Sequence, residues 1–438
     1  MAKQIVIPKP TKVPHNWCWI ELGKLTSMKS GFPFDSKRFT RSKSANARPL
    51  IRIRDVVNGA TETYTDQECP KEYVIKKGEI LIGMDGDFNV GKWQSEDALL
   101  NQRVCCIQSC SSLYLDDFLF YYLPDPLKKI NDATPSVTVK HLSTKTLAIT
   151  PVPVPPLPEQ QRIVNRIESL FAKLDEAKQK AQDALDSFET RKAAILHKAF
   201  AGELTAQWRK EHGVGMETWS SCKLIDILVE KPRNGYSPKP VDYVTACKSM
   251  TLSATTTGVF KPEFFKYIDE EIPENSHLWL TPGDILIQRA NSLEKVGMSA
   301  IYTGAEHEFI YPDLMMKLTV KEPNNKHYID YYLKTDEILN YFRSNATGTA
   351  GNMPKINQKV VSETPLILPE TQEQAEIVRL LDDLLANEQQ AKDAAEGVLE
   401  QIDLIKKAIL ARAFRGELGT NDPSEKSAVE LLKQISSC

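Results

Sequence analysis

Apolar residues recur with heptad spacing along two long stretches of this chain. In each stretch, nine of ten successive heptad positions are apolar. Such a period, sustained over five heptads, predicts two long helices that pair with each other. The first run is Ile163, Ile167, Leu170, Leu174, Ala177, Ala181, Ala184, Phe188, Arg191 and Ile195. The second run is Ile377, Leu381, Leu384, Glu388, Ala391, Ala395, Val398, Ile402, Ile405 and Ile409.

The two stretches are copies of one segment. Residues 159–204 align with residues 373–418 without a gap at an offset of 214, and 19 of the 46 positions are identical. Each half also opens with a Trp and a Leu five residues apart, at Trp17 and Trp219. A repeat of this length predicts two similar halves, each a globular domain followed by a long helix.

The direction of the predicted helix pair follows from two exceptions to the apolar pattern. Arg191 is the charged member of the first run and Glu388 that of the second. If the helices run antiparallel about their common middle, these two residues face each other. We expect the ion pair to fix the register rather than to add stability, since desolvation offsets most of the attraction.

Short β-rich runs separated by Gly, Asn and Pro turns fill the region before each helix. Helices are expected near residues 115–122 and 329–342. The predicted fold class is α+β, with two similar mixed α/β domains separated by an antiparallel coiled coil of two long helices. The predicted segments are a first domain at 1–157, a helical region at 158–212, a second domain at 213–368 and a second helical region at 369–438.

Composition places the chain among ordinary globular proteins. It has 438 residues, of which 41% are apolar and 26% charged. We found neither an apolar run of membrane-spanning length nor a signal-peptide pattern, and we expect a cytoplasmic location without a membrane partner.

The eight cysteines form no CxxC pair and no zinc-type spacing with histidine. No metal site is therefore expected.

The charge of the chain is unevenly distributed. The net charge is −3, yet residues 24–54 hold nine basic side chains and the single acid Asp35. A local basic stripe is the electrostatic signature of contact with phosphates. A solvated surface without a partner is the alternative interpretation of this run.

No catalytic motif emerges from the sequence. Residues 86–92 have the spacing of a phosphate-binding loop, but Trp93 stands where a Ser or Thr must hold magnesium. The GxSxG and HExxH motifs, a glycine-rich dinucleotide turn and the Asn-Pro-Pro-aromatic signature of amino-group methyltransferases are all missing. The sequence therefore offers no catalytic constellation.

The loops instead carry donors suited to base edges and phosphates. Arg matches the O6 and N7 acceptors of guanine, and Asn or Gln matches N6 and N7 of adenine. For each single residue, an ordinary solvated role remains equally open. The candidates are Lys37, Arg38, Arg41, Lys43, Asn101, Gln102 and Arg103 in the first domain, and Arg233, Asn234, Tyr236, Lys239, Arg289, Asn291 and Arg343 in the second.

Several motifs together closely resemble the DNA-specificity subunit of type I restriction-modification enzymes over essentially the whole chain. They are Pro-Pro-Leu-Pro-Glu-Gln at 155–160, Arg-Asn-Gly at 233–235, and Ala-Phe-x-Gly-Glu-Leu at 199–204 and 413–418. The second proline motif is degraded to Leu-Pro-Glu-Thr-Gln-Glu-Gln at 368–374.

The resemblance implies that each variable domain reads one half of a split DNA sequence and that the paired helices act as a ruler. It also implies partners. These are double-stranded DNA, two adenine methyltransferase subunits that bind S-adenosylmethionine, and restriction subunits with nuclease and translocase activity. This chain would hold no cofactor. Two rival hypotheses are a self-contained DNA methyltransferase and a coiled-coil adaptor without sequence-specific DNA binding.

Overall fold

The computed structural model of this chain describes residues 11–44, 46–134, 139–348 and 353–429. It divides into two compact units, each with its own hydrophobic cores. The first unit comprises Met1–Lys180 and Gly397–Cys438, and the second comprises Ala181–Glu396. Within the described ranges, no helix has both the length and the apolar character that crossing a membrane requires.

Strands dominate the first unit before its long helix begins. Its strands are β1 (Cys18–Glu21), β2 (Thr26–Ser30), β3 (Phe39–Thr40), β4 (Arg48–Ile51), β5 (Tyr64–Thr65), β6 (Val74–Ile75), β7 (Ile80–Gly83), β8 (Val90–Lys92), β9 (Ala98–Leu100), β10 (Val104–Ser109) and β11 (Pro151–Val154). Its helices are α1 (Asp116–Tyr122), α2 (Pro124–Ala133), α3 (Thr144–Ala148) and the start of α4 (Leu157–Asp186).

The second unit repeats this arrangement with fewer strands. Its helices are α5 (Phe188–Phe200), α6 (Ala206–His212), α7 (Lys326–Leu333), α8 (Asp336–Ser344), α9 (Gln358–Ser362) and most of α10 (Thr371–Ala413). Its strands are β12 (Ser220–Lys223), β13 (Arg233–Asn234), β14 (Pro240–Val241), β15 (Cys247–Met250), β16 (Phe265–Ile268), β17 (Ile285–Gln288), β18 (Ser299–Ile301), β19 (Phe309–Ile310), β20 (Met315–Leu318) and β21 (Pro365–Leu368).

Three sheets in one unit match three in the other. The order β2-β10-β7-β8 in the first unit corresponds to β13-β20-β17-β18 in the second. The strands β7 and β17 are buried along their whole length, which explains their continuous apolar sequences. A second sheet, β3-β5-β4-β9-β6 or β14-β16-β15-β19, includes one parallel strand pair in each unit. Both units are thus mixed α/β, as the sequence predicted.

The third sheet is a two-stranded ribbon that joins the start of each domain to its end. β1 pairs with β11, and β12 pairs with β21, both antiparallel. The backbone N–H of Leu22 donates to the Thr150 carbonyl at 2.9 Å, and that of Leu224 donates to Thr364 at the same distance. The leucines and threonines at matching repeat positions therefore close equivalent ribbons.

A Trp–Glu hydrogen bond fastens each ribbon to a long helix. Trp17 Nε1 donates to Glu159 Oε2 at 2.8 Å, and Trp219 Nε1 donates to Glu373 Oε2 at 2.9 Å. The two glutamates occupy the same position of the repeat, and both are fully buried. The Trp that opens each half therefore has a defined partner in the first turn of α4 or α10.

The two buried glutamates differ in how their charge is compensated. Glu373 accepts from Thr205 Oγ1 at 2.7 Å and from Arg209 Nη1 at 2.6 Å, and the arginine is itself buried. Glu159 accepts a second bond from Asn421 Nδ2 at 2.9 Å, and its Oε1 atom has no partner within the described part of the chain. Burial therefore raises the pKa of Glu159 above its ordinary value, although hydrogen bonds oppose the shift.

Within each unit, the long helical segments run antiparallel. In the first unit, Lys406 Nζ donates to Asp175 Oδ1 at 2.5 Å. In the second unit, Arg191 Nε donates to Glu388 Oε2 at 2.8 Å, which is the pair that the sequence arithmetic predicts. Contacts that run in opposite directions along the two repeats agree with the predicted antiparallel fold class.

The first helical segment is not continuous, contrary to the sequence prediction. α4 ends at Asp186 and α5 begins at Phe188. The Ser187 hydroxyl donates to the Asp183 carbonyl at 2.8 Å, and Arg191 Nη1 donates to the Ala184 carbonyl at 3.2 Å. The backbone N–H of Ser187 still donates to Asp183 at 3.1 Å, so these side chains share helix carbonyls with the backbone and the helix is interrupted only at Ser187. The helix expected at 329–342 is likewise two helices, because the Thr335 side chain caps a new one.

The predicted seam of the second helix has the wrong phase at three apolar positions. Val398 is 40% exposed and Ile405 is 42% exposed. Ala391 is exposed as well. Lys392 and Lys406, which follow Ala391 and Ile405 in the sequence, instead contact the first helical run. The seam residues Ile163, Ile167, Phe188, Ile377, Leu381 and Ile402 are buried, while Leu170, Leu174, Arg191, Ile195, Leu384, Glu388 and Ile409 are half-buried.

The two lysines pack over aromatic rings. Lys392 Nζ lies 4.9 Å from the ring centroid of Phe188, and Lys406 Nζ lies 5.1 Å from that of Phe171. A lysine stem can cover apolar surface while its ammonium remains in water. A heptad count that admits only apolar residues misses such positions, and the prediction that Ile405 lies in the seam is wrong.

Candidate nucleic-acid interface

In the second unit, three chain segments converge at one end of the sheet β13-β20-β17-β18. Backbone hydrogen bonds join Arg289 N to the Leu314 carbonyl at 3.0 Å and Gly235 N to the Met315 carbonyl at 3.1 Å. The N–H of Ile356 donates to the Arg289 carbonyl at 2.8 Å. The predicted DNA-contacting residues on these segments are Arg233, Asn234, Tyr236, Arg289 and Asn291.

In the first unit, three equivalent backbone hydrogen bonds join the chain segments at the matching end of the sheet β2-β10-β7-β8. Met84 N donates to the Arg103 carbonyl at 3.0 Å, Gly31 N donates to Val104 at 3.0 Å, and Leu142 N donates to Met84 at 2.7 Å. The predicted contacts Asn101, Gln102 and Arg103 therefore occupy the place of residues 312–314 in the other unit. Two separately predicted groups of donors thus lie at the matching sheet end of a repeated fold, although on non-equivalent segments.

One glycine in each unit allows this close crossing of strands. A Cβ added to Gly31 would collide with the backbone of Asn101, and one added to Gly235 would collide with the carbonyls of Tyr311 and Pro312. Backbone atoms cannot move aside as the end of a flexible side chain can. The glycine of the Arg-Asn-Gly motif at 233–235 is therefore required by packing.

Several second-unit candidates are already bound within the protein. Arg233 forms an ion pair with Glu230 at 2.6 Å, and Tyr236 Oη donates to Glu270 at 3.1 Å. Asn291 Nδ2 donates to Gln288 Oε1 at 2.6 Å. These side chains remain at least partly exposed, so the bonds orient them rather than remove them from solvent.

Three polar atoms of this region are buried without a hydrogen-bond partner in the described ranges. They are Asn234 Oδ1, Arg289 Nε and Arg343 Nε. Arg343 Nη2 donates to the Glu294 carbonyl at 3.3 Å, which links α8 to the loop after Asn291. Lys239 lies exposed just before β14. Unpaired buried donors and acceptors are costly and are a common feature of sites that accept a ligand.

The basic run of the first unit belongs to a different sheet from β2-β10-β7-β8. Lys37, Arg38, Arg41 and Lys43 flank β3, which belongs to the second sheet of the unit, and all four are exposed. Arg38 Nε lies 2.8 Å from Asp66 Oδ1, and Lys43 Nζ lies 2.8 Å from Glu96 Oε1. The hydrogen bond to Arg38 lowers the pKa of Asp66. Folding therefore neutralises part of the charge that the sequence displays.

A cluster that sequence reasoning missed lies beside Arg103. Asp85, two residues after the end of β7, contacts His141 Nδ1 at 2.6 Å and Arg103 Nη1 at 3.3 Å. The side chain of Asp85 is 18% exposed, whereas those of Arg103 and His141 are 56% and 57% exposed. Asp85 and His141 are 56 positions apart in the sequence, which hides the cluster from any local pattern.

Comparison with known proteins assigns the repeated units. The type I restriction modification DNA specificity domain matches residues 14–185 and, a second time, residues 216–396. The chain belongs to this family. The double match agrees with the internal repeat and with the two similar units.

Characterised relatives span nearly the whole chain. The EcoBI specificity subunit of Escherichia coli is 29% identical over 96% of this chain and 92% of its own length. The EcoKI specificity subunit of Escherichia coli strain K12 is 25% identical over 97% and 96%. Both are named as specificity subunits of type I restriction enzymes. This chain is accordingly a DNA-sequence-recognising subunit of a type I restriction-modification system, and such subunits are non-catalytic.

Solved structures show the same fold. A chain of a type I R-M system structure superimposes with a TM-score of 0.66 at 18% identity, covering 93% of this chain and 100% of that one. The HsdS subunit from Thermoanaerobacter tengcongensis gives a TM-score of 0.59 at 17% identity, covering 93% and 99%. The two mixed α/β domains and the long helices are therefore a shared architecture.

Proposed function

We propose that each of the two mixed α/β domains reads one half of a bipartite DNA target. The observation that carries this proposal is the pair of matched sheet ends, each closed by the same backbone bonds and each presenting an arginine. Arg103 and Arg289 enter from neighbouring but non-equivalent strands. Two domains that share a backbone arrangement but present different side chains are suited to recognising two different DNA sequences.

The proposed contacts divide into two kinds. Arg103, Asn101 and Gln102 in the first domain, and Arg289, Asn234 and Asn291 in the second, read base edges. The exposed cations Lys37, Arg38, Arg41, Lys43, Lys239, Arg233 and Arg343, together with Tyr236, contact the sugar-phosphate backbone and set affinity. Backbone contacts carry a salt-dependent and sequence-independent part of binding.

The long helices set the distance between the two half-sites. Two methyltransferase subunits, which bind S-adenosylmethionine and modify adenine, assemble with this chain on the DNA. Restriction subunits with nuclease and translocase activity join the same assembly. This chain contributes recognition and placement.

The test exchanges residues 14–150 for the same region of a relative and sequences the methylated sites of cells that carry the assembled methyltransferase. We expect one half of the methylated sequence to change and the other half to remain. Adding whole turns to both long helices should instead change only the spacer.

The two rival functions predict other results. A coiled-coil adaptor predicts that the exchange alters no methylated sequence. A self-contained methyltransferase predicts that the purified chain binds S-adenosylmethionine by itself, which isothermal titration would detect. Either result would exclude the proposed division of labour.

A further inference from the structure

Asp85, the acid that contacts Arg103, has no acidic counterpart at the matching position of the second unit. Backbone hydrogen bonds align Asp85 with Ala290, Arg103 with Leu314 and His141 with Lys355. Both units also form the same isolated bridge, Asp85 with His141 and Ala290 with Lys355. Since the second unit closes the same sheet end with Ala290 at the position of Asp85, a carboxylate at that position is not required for closure.

A carboxylate at this place is unfavourable for binding DNA unless it serves a purpose. Phosphates repel it, and it neutralises a nearby cation that would otherwise attract them. Its two partners are exposed while the acid itself is mostly covered, so the carboxylate lies below them. This arrangement is suited to holding two donors in place at the surface.

We propose that Asp85 is a positioning residue for Arg103, and that Arg103 reads a guanine in the half-site of the first domain. The proposal rests on the function proposed above. Within the described residues, the Arg103 side chain pairs with Asp85 through Nη1. The remaining N–H groups of the guanidinium are available to pair with the two adjacent acceptors, O6 and N7, that guanine presents in the major groove.

The contact with Asp85 favours a role for Arg103 in binding a base rather than a phosphate. A phosphate presents several oxygens and is satisfied by a mobile cation, whereas a base edge requires a fixed orientation of the guanidinium plane. His141 shares the carboxylate through Nδ1, which must donate because the carboxylate only accepts. This second bond restricts the movement of the Asp85 side chain, so the carboxylate holds Arg103 in one orientation.

The test uses the assembled methyltransferase complex and duplexes that carry its methylated target sequence. Each guanine of the first half-site, on either strand, is replaced in turn by 7-deazaguanine, which lacks the N7 acceptor. We expect one replacement to weaken binding by about tenfold, the size of one good arginine–guanine contact. The Arg103→Ala complex should bind the natural duplex more weakly and lose its response to that replacement.

Variants of the anchor separate positioning from structure. Asp85→Asn keeps the shape of the side chain and should reduce the preference for guanine at that base by about tenfold, within the range of one base contact. Asp85→Glu should restore part of the preference. Discrimination at the second half-site should be unchanged in both. Asp132→Asn is the matched control, because it removes an exposed carboxylate, paired with Lys128 at 3.0 Å, from the same unit.

Three results would overturn the inference. One is a first half-site without guanine on either strand, and another is an undiminished 7-deazaguanine response in Arg103→Ala. The third is an Asp85→Asn complex that changes preference from cytosine to adenine, which would make Asp85 itself the reader. Should Asp85→Asn fail to fold, the modified duplexes with Arg103→Ala still decide the question.

The domain exchange distinguishes this inference from the function on which it rests. If exchanging residues 14–150 leaves the methylated sequence unchanged, the proposed function fails. If the exchange alters one half while 7-deazaguanine has no effect in that half, the proposed function stands and the role of Arg103 is wrong.

Discussion

Arg191 Nε donates to Glu388 Oε2 at 2.8 Å and joins the charged members of two otherwise apolar heptad runs. The arginine also donates to the Ala184 carbonyl and so lies at the break between α4 and α5. One residue thus links the register of the helix pair to the irregularity of one helix. Both side chains are partly exposed, at 36% and 22%.

A double-mutant cycle with Arg191→Met and Glu388→Gln should give a coupling energy of about 0.5–1 kcal/mol, because solvent screens a half-exposed pair. Unfolding by urea provides the free energies. The Lys180–Glu176 pair on the surface of α4, with side chains 75% and 67% exposed, is the control. We expect about 0.3–0.5 kcal/mol for it. A coupling above about 3 kcal/mol at Arg191 would show that the pair stabilises rather than orients.

Glu373→Gln should destabilise the second unit by about 3 kcal/mol, because it leaves the buried Arg209 without its carboxylate. Glu159→Gln is the matched control at the same repeat position of the first unit. It should cost less than about 1 kcal/mol, because an amide oxygen can still accept from Trp17 and Asn421 and no buried cation loses its partner. Amide hydrogen exchange reports each unit separately. Equal losses would contradict this account.

The raised pKa of Glu159 should make the stability of the first unit depend on pH. Burial disfavours the charged carboxylate, so the folded chain binds this proton more tightly than the unfolded chain does. The contribution is fully present below the ordinary glutamate pKa of 4.5 and is lost as pH rises through the folded value. The difference in unfolding free energy between the native chain and Glu159→Gln should therefore decrease as pH rises above 4.5. A constant or increasing difference would refute the assignment.

The corrected seam can be tested with two isoleucines three positions apart. Ile402 is 2% exposed, and Ile402→Ala should cost about 2–5 kcal/mol by leaving a cavity. Ile405 is 42% exposed, and Ile405→Ala should change stability by about 0.5 kcal/mol or less. The stabilities of the two variants, measured by thermal unfolding, show which of the two isoleucines lies in the helix seam. The reverse order would restore the phase predicted from the sequence.

The sequence predicts the repeated architecture well because its signals are local or related by a constant offset. Trp17 and Trp219 open the two halves, and Glu159 and Glu373 begin the repeated helices. The structure joins them as two equivalent hydrogen bonds. The sequence does not predict that Lys406 replaces Ile405, because hydropathy ignores the apolar stem of a lysine.

The interface is less predictable because its groups come together only on folding. The basic run suggests free cations at Arg38 and Lys43, yet acids distant in sequence pair with both. Conversely, Asp85 and His141 belong to no motif and meet across a strand bridge. Charge counts along a sequence include neither effect.

The two-stranded ribbons also bear on how such a protein changes over generations. β1 and β11 are paired in the first unit, and β12 and β21 in the second, so the segment between each pair leaves and re-enters at one place. A genetic exchange with breakpoints inside the ribbon strands replaces everything that the ribbon encloses and keeps both junctions. If each domain reads one half of the target, as proposed, new combinations of the two halves can arise by recombination, without a series of compensating mutations.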